Sequence, residues 1–129
     1  MITVHVVDDE PSVRKALGRL LRAAGYVVAT YESVAQFLDQ LPKKKEPGCI
    51  LLDVLMPGVN GIMLQERMTE VGSVLPVIFM TGSVERIEGG TEGFLLKPVS
   101  REKLLDAIER ALGSALPNSA FPVNAFGSQ

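Results

Sequence analysis

The chain has little of what would mark several function classes. It holds one cysteine, Cys49, and one histidine, His5, in 129 residues. A single cysteine cannot close an internal disulfide, so a reducing compartment is expected and the protein is predicted to be cytoplasmic. One cysteine and one histidine also cannot build a thiolate–imidazole metal cluster. Neither sign of charge is in excess. The 13 Lys and Arg against 15 Asp and Glu leave a formal net charge of −2, which does not favour general binding to nucleic acid or to an acidic membrane. No apolar run approaches the roughly 20 residues of a membrane-spanning helix. The start, Met1-Ile2-Thr3-Val4, runs straight into a strand pattern with no basic region or cleavage site, so no signal peptide is expected. What remains is an ordinary globular composition in a chain long enough for one domain with a real core.

The pattern that is present alternates strands with helices. Residues 2–7, Ile-Thr-Val-His-Val-Val, are β-branched and apolar and predict a first strand. His5 within it is expected to be packed and hydrogen-bonded. Asp8-Asp9-Glu10 follow, then Pro11. Acids and an early proline suit the start of a helix, predicted from Pro11 to Ala24 with Val13, Leu17, Leu20, Leu21 and Ala24 on one face and Arg14, Lys15 and Arg22 elsewhere. Gly18 inside that helix implies close packing on the sheet, and Gly25 supplies its stop. Tyr26 to Thr30 is a second short strand, and Ser33 can cap a second helix carrying Val34, Phe37, Leu38 and Leu41. Lys43-Lys44-Lys45-Glu46-Pro47 reads as a solvated connector.

Cys49-Ile50-Leu51-Leu52-Asp53 is a continuous apolar run ending in one carboxylate, the pattern of a strand buried on both faces. Cys49 within it is expected to be an inert core thiol. A third helix is predicted over 61–71, a fourth strand over 75–80 ending in Thr81, a fifth over 94–96 ending in Lys97-Pro98, and a last helix capped by Ser100. The spacing predicts right-handed βαβ units and a flavodoxin-like, doubly wound, five-stranded parallel sheet in the order 2-1-3-4-5. The domain is expected to occupy residues 1–115. Residues 116–129, without helical period, are expected to be a tail or interdomain linker.

In such a sheet the carboxyl ends of the strands share one edge, where open α/β sheets hold their ligands. Strand one delivers Asp8 and Asp9 there, strand three Asp53, strand four Thr81 and strand five Lys97. Two unit charges about 4 Å apart repel by about 4 kcal/mol at an effective dielectric of about 20. One lysine offsets only part of the repulsion among three carboxylates. The remaining deficit suits a hard divalent cation, Mg²⁺ above all. A cation, an ammonium and a hydroxyl in one crevice also suit a phosphoryl group, with Asp53 as the nucleophile that becomes an aspartyl phosphate.

Four stretches at strand ends carry a resemblance: Val6-Val7-Asp8-Asp9-Glu10, Leu51 to Gly61, Val77 to Gly82, and Phe94-Leu95-Leu96-Lys97-Pro98. Together they resemble the receiver (CheY-like) domains of bacterial two-component response regulators, over nearly all of residues 2–113. The wording looks most like the branch that joins a receiver to a helix-turn-helix output domain. The resemblance implies that Asp53 is the phosphoacceptor, and that Asp9 and Asp53 bind Mg²⁺ directly with the backbone carbonyl of Leu55. It implies that Asp8 acts mainly through water and that Lys97 pairs with the carboxylate and then with the phosphoryl oxygens. Thr81 and Phe94 would be the switch residues, and the bond before Pro98 is often cis in the family. The implied partners are a sensor histidine kinase, a second copy in a homodimer, and DNA only through an output domain absent from this sequence, with no membrane partner. Residues 82–93 are shorter than the family usually has and hold four glycines, which predicts a shortened fourth helix and an altered signalling surface. Other readings weighed are a degenerate receiver acting by phosphorylation-independent dimerisation, a Mg²⁺-dependent phosphohydrolase, and a flavodoxin-like cofactor binder. A phosphohydrolase of this type would want an acid where Leu55 stands. A cofactor binder would want a phosphate-cradling loop where Asp8 and Asp9 stand.

Overall fold

The computed structural model describes residues 2–40, 47–54, 61–70, 75–82 and 94–113, and the structural statements that follow concern these. Five strands form one parallel sheet: β1 (Thr3–Val7), β2 (Val27–Tyr31), β3 (Gly48–Asp53), β4 (Val77–Thr81) and β5 (Phe94–Leu96), in the order β2-β1-β3-β4-β5. Four helices are described: α1 (Pro11–Ala23), α2 (Val34–Gln40), α3 (Gly61–Glu70) and α4 (Arg101–Leu112). The expected order is therefore the observed one. The expected shortened helix in 82–93 and the expected tail 116–129 fall outside the described residues, apart from Gly82.

Side chains two apart along a strand point to the same face, and this divides the core in two. Val4, Val6, Cys49, Leu51, Ile78 and Met80 pack with Leu17 and Leu21 of α1 and with Leu104, Ile108 and Ala111 of α4. Val7, Ile50, Leu52, Val77 and Phe79 pack with Phe37 of α2 and with Leu64 and Met68 of α3. β1, β3 and β4 are buried along their whole length, as their unbroken apolar runs require. β2 is an edge strand and mixed in burial. On β5, at the other edge, Leu96 is exposed.

Several boundaries and one glycine differ from the sequence reading: β1 begins at Thr3 rather than Ile2, α1 ends at Ala23 rather than Ala24, and β4 is Val77–Thr81 rather than 75–80. β2 is shifted by one residue, to Val27–Tyr31, and Tyr31 pairs in register with Val7. Gly18 is buried, but the nearest atoms that a Cβ there would meet belong to the Arg22 guanidinium, at 3.0 Å, not to the sheet. The expected close packing on the sheet is not seen at that glycine, whose nearest neighbour is the end of an exposed, flexible side chain. Gly25 stops α1 as expected, with φ +99°, in the left-handed region that favours glycine. His5 is buried and its Nδ1 lies 3.0 Å from Tyr31 Oη, with Phe37 packed edge-on against both rings.

Candidate functional site

The register brings the strand ends to one level. Val7 pairs with Leu52, so Asp8 and Asp53 follow side by side on adjacent strands. Asp53 pairs with Met80, and Thr81 pairs with Leu96. The ladder then continues one step beyond the strands: the Asp8 N–H donates to the Tyr31 carbonyl at 3.1 Å, the Val54 N–H to the Met80 carbonyl at 3.1 Å, and the Lys97 N–H to the Thr81 carbonyl at 2.8 Å. Backbone hydrogen bonds therefore fix where Asp8 and Lys97 sit. The Lys97–Pro98 peptide is cis.

Lys97 Nζ is the centre of the site. It stands 2.7 Å from Asp8 Oδ2, 2.8 Å from Asp53 Oδ2 and 3.3 Å from Glu10 Oε1. The contacts to Asp53 and Glu10 are hydrogen bonds. The contact to Asp8 is the shortest of the three and pairs that buried oxygen with the ammonium. Asp8 Oδ1 accepts from the Glu10 N–H at 2.9 Å. Arg14, which the helical pattern put off the apolar face, reaches over the end of β1, where its Nη1 donates to the Asp8 carbonyl at 2.7 Å.

Asp8, Asp53 and Thr81 are buried, while Asp9 and Glu10 are exposed. Burial pushes the Asp8 carboxyl up, against the pull of the Lys97 hydrogen bond, the Glu10 N–H and the Lys97 charge, and the like charge of Asp53 adds to the rise. Burial pulls the Lys97 ammonium down, but hydrogen bonds to Asp53 and Asp8 and both their charges outweigh it, and Lys97 ends above the usual lysine range. The two directions agree physically. Asp8 is wholly buried and loses more hydration than its single cation returns, whereas Lys97 faces several carboxylates.

One oxygen each from Asp8, Asp9, Glu10 and Asp53 lie within 4.8 Å of one another. Four carboxylates against one ammonium is a donor set that fits a hard, oxygen-preferring divalent cation. Of the residues expected at the site, the structure brings together Asp8, Asp9, Asp53 and Lys97, and places Thr81 at the same sheet edge, at the end of β4. Leu55 and the Phe94 side chain lie outside what is described. Glu10 and Arg14 were not expected there. The run of three acids before Pro11 was the one signal that could have pointed to Glu10.

A doubly wound α/β domain with an acidic, lysine-bridged notch at the carboxyl edge of its sheet is a known class of signalling module. The chain belongs to the response regulator receiver domain family, whose model matches residues 4–109. It is a receiver domain of the two-component kind, a family whose role is to accept a phosphoryl group in signalling. It is 40% identical over 116 residues to the transcriptional regulatory protein TdiR of Thauera aromatica, covering 85% of this chain and 51% of that protein. To the transcriptional regulatory protein FixJ of Bradyrhizobium diazoefficiens it is 38% identical over 120 residues, covering 88% and 58%. A crystal structure of a response regulator receiver protein from Burkholderia phymatum superposes with a TM-score of 0.72 at 37% identity, covering 91% of this chain and 99% of that one. The chain spans about half the length of the curated relatives it matches. Among the described residues no helix is long and apolar enough to cross a membrane.

Proposed function

We propose that Asp53 is the phosphoacceptor of this domain and that a sensor histidine kinase is its donor. The observation that carries the reading is the Lys97 ammonium held between Asp8 and Asp53, at 2.7 and 2.8 Å, where three strands of a parallel sheet end. An Asp53 carboxylate oxygen attacks the phosphorus of a phosphohistidine. The P–N bond breaks, the imidazole leaves with a proton, and the phosphoryl group stays on Asp53 as a mixed anhydride. Lys97 then pairs with a phosphoryl oxygen instead of the carboxylate, and the Thr81 hydroxyl donates to another. Phe94 follows Thr81 as the second switch residue.

Asp9 and Asp53, with the Leu55 carbonyl, would hold Mg²⁺, and Asp8 would act mainly through water. When bound, the cation neutralises charge on the transferring oxygens. The protein residues position the donor and disperse charge, so the domain assists its own phosphorylation and dephosphorylation without being an enzyme acting on other substrates. Residues 1–115 form the receiver and 116–129 a tail or linker. The names of the relatives support a transcriptional output, read here as a helix-turn-helix domain beyond this sequence, with DNA contacted only through it and with the whole acting in the cytoplasm.

Asp53→Asn tests the assignment. Incubation with a radiolabelled small phosphoryl donor and Mg²⁺ is expected to label the wild-type chain and to leave the variant unlabelled. Undiminished labelling of the variant would move the nucleophile elsewhere.

A further inference from the structure

The backbone ladder between β1 and β2 stops one rung short of the site. It runs from the Val27 N–H, which donates to the Ile2 carbonyl at 3.0 Å, to the Asp8 N–H, which donates to the Tyr31 carbonyl at 3.1 Å. The register makes the next rung a bond from the Ser33 N–H to the Asp8 carbonyl. By then β2 has ended at Tyr31, and Ser33 caps α2, its Oγ accepting from the Gln36 N–H. The Asp8 carbonyl is served by a side chain instead: Arg14 Nη1 donates to it at 2.7 Å. Arg14 is partly buried, and its own main-chain N–H donates to the Glu10 carbonyl at 3.1 Å. One residue of α1 therefore holds the Asp8-Asp9-Glu10 turn at two points.

A peptide unit is planar, so anchoring its carbonyl also sets the N–H of the residue that follows. Asp9 lies between two anchored units. The one before it is held at the Asp8 carbonyl by Arg14, and the one after it at the Glu10 N–H, which donates to Asp8 Oδ1 at 2.9 Å. Asp9 is exposed, so its direction is set by its backbone more than by packing. We propose that Arg14 is a positioning residue for Asp9: by holding the Asp8 carbonyl where the β1–β2 ladder has run out, it fixes the peptide plane from which the Asp9 carboxylate is presented to Mg²⁺. The inference rests on the reading that Asp9 is a Mg²⁺ ligand. A guanidinium beside carboxylates repels a cation, so by charge alone Arg14 opposes Mg²⁺ binding. Positioning acts with the opposite sign, which separates the two effects.

Arg14→Met keeps the apolar stem and removes both the donor and the charge, and thermal melts verify the fold. Mg²⁺ titration of the full chain by calorimetry is expected to show about a 10-fold loss of affinity in this variant, in the range of substitutions that release a metal ligand from its support. Labelling by a small phosphoryl donor should need correspondingly more Mg²⁺ for half its maximal rate, while the rate at saturating Mg²⁺ stays within about 2-fold of wild type, because the ladder that places Asp53 is untouched. Unchanged or tighter Mg²⁺ binding would reduce Arg14 to a surface charge and overturn the proposal. The same substitution made on Asp9→Ala closes a double-mutant cycle. If Arg14 acts through Asp9, no further loss of Mg²⁺ affinity follows there, whereas a full second loss would overturn the inference. Wild-type Mg²⁺ affinity in Asp9→Ala alone would overturn the reading of Asp9 and the inference with it. Weakened binding in Asp9→Ala combined with wild-type binding in Arg14→Met would overturn the inference alone.

Discussion

Lys97 is only 13% exposed and is the described cation that faces Asp8 and Asp53, both buried. Removing one partner of a buried charge set leaves the others uncompensated, typically at a cost of about 3–5 kcal/mol. Lys97→Met keeps most of the apolar stem and deletes the charge, so the domain should still fold but lose about 3 kcal/mol at neutral pH. Burial already holds the Asp8 carboxyl above its usual range against the pull of Lys97, so without the cation its folded pKa rises further in the variant. Stability held by a raised carboxyl pKa is present at low pH and lost as pH rises through it. The deficit against wild type should therefore shrink on acidification, and added Mg²⁺ should recover part of it at neutral pH. Urea melts of both proteins with and without Mg²⁺ check this, and a deficit independent of pH and Mg²⁺ would contradict it. At this scale the sequence was informative wherever an ionisable side chain ends an apolar run, as at Asp8, Asp53 and Lys97. It was silent on Glu10 and Arg14, because a glutamate and an arginine at a helix start have an ordinary role with the helix dipole. Their contacts to Lys97 and to the Asp8 carbonyl depend on how α1 lies over the sheet edge.

The elements that carry the site are held in register by the backbone, and one glycine at the start of β3 shows how tightly. Gly48 pairs with Thr3 of β1, and a Cβ at Gly48 would collide with the Thr3 carbonyl. The clash is with backbone in the middle of the sheet, so neither strand can yield without disturbing the β1–β3 ladder that aligns Asp8 with Asp53. Gly48→Ala is expected to cost about 2 kcal/mol, within the ordinary range for steric strain. Because the ladder sets the separation of the two carboxylates, it should weaken Mg²⁺ binding as well. Chemical denaturation and a Mg²⁺ titration on the same variant test both parts, and wild-type values in both would mean that the strands shift freely. The sequence could not show this contact, since a glycine before an apolar run reads equally well as a turn residue. The other boundaries were legible where their chemistry is local: Ser33 and Ser100 cap as expected, and Gly25 ends α1. Tyr31 was not read as strand because Glu32-Ser33 follow it at once. Pairing with Val7 and contact with His5 and Phe37 extend β2 to include it, a tertiary effect that propensity does not contain.

Across the whole molecule the two apolar layers on either face of the sheet give the chain a pH limit on the alkaline side. Strand order and layering were readable because unbroken apolar runs, separated by helical periods, admit few right-handed windings. What the pattern does not reveal is how firmly the interior holds protons. Cys49 is the second residue of β3, buried within the α1–α4 layer, and burial pushes its thiol from 9.0 up to about 12. Burial also raises Tyr31 from 10.0, and its carboxylate partners raise Lys97 from 10.5 despite burial. In each case the folded state keeps a proton that the unfolded state releases, so these contributions are complete below the unfolded values and are lost as pH rises above them. The loss should begin near pH 9, with Cys49. Cys49→Ala removes the first of these titrations. Its stability is expected to be somewhat lower than wild type at neutral pH, from the small cavity, but to fall less steeply between pH 9 and pH 10, where Tyr31 joins in. Urea midpoints measured across that interval test the point, and parallel slopes for the two proteins would mean that the thiol ionises as readily in the folded chain as in the unfolded one. The same burial predicts that a thiol reagent added at neutral pH labels Cys49 only as fast as the sheet opens, so labelling should slow when Mg²⁺ binds the acidic notch and stabilises the fold.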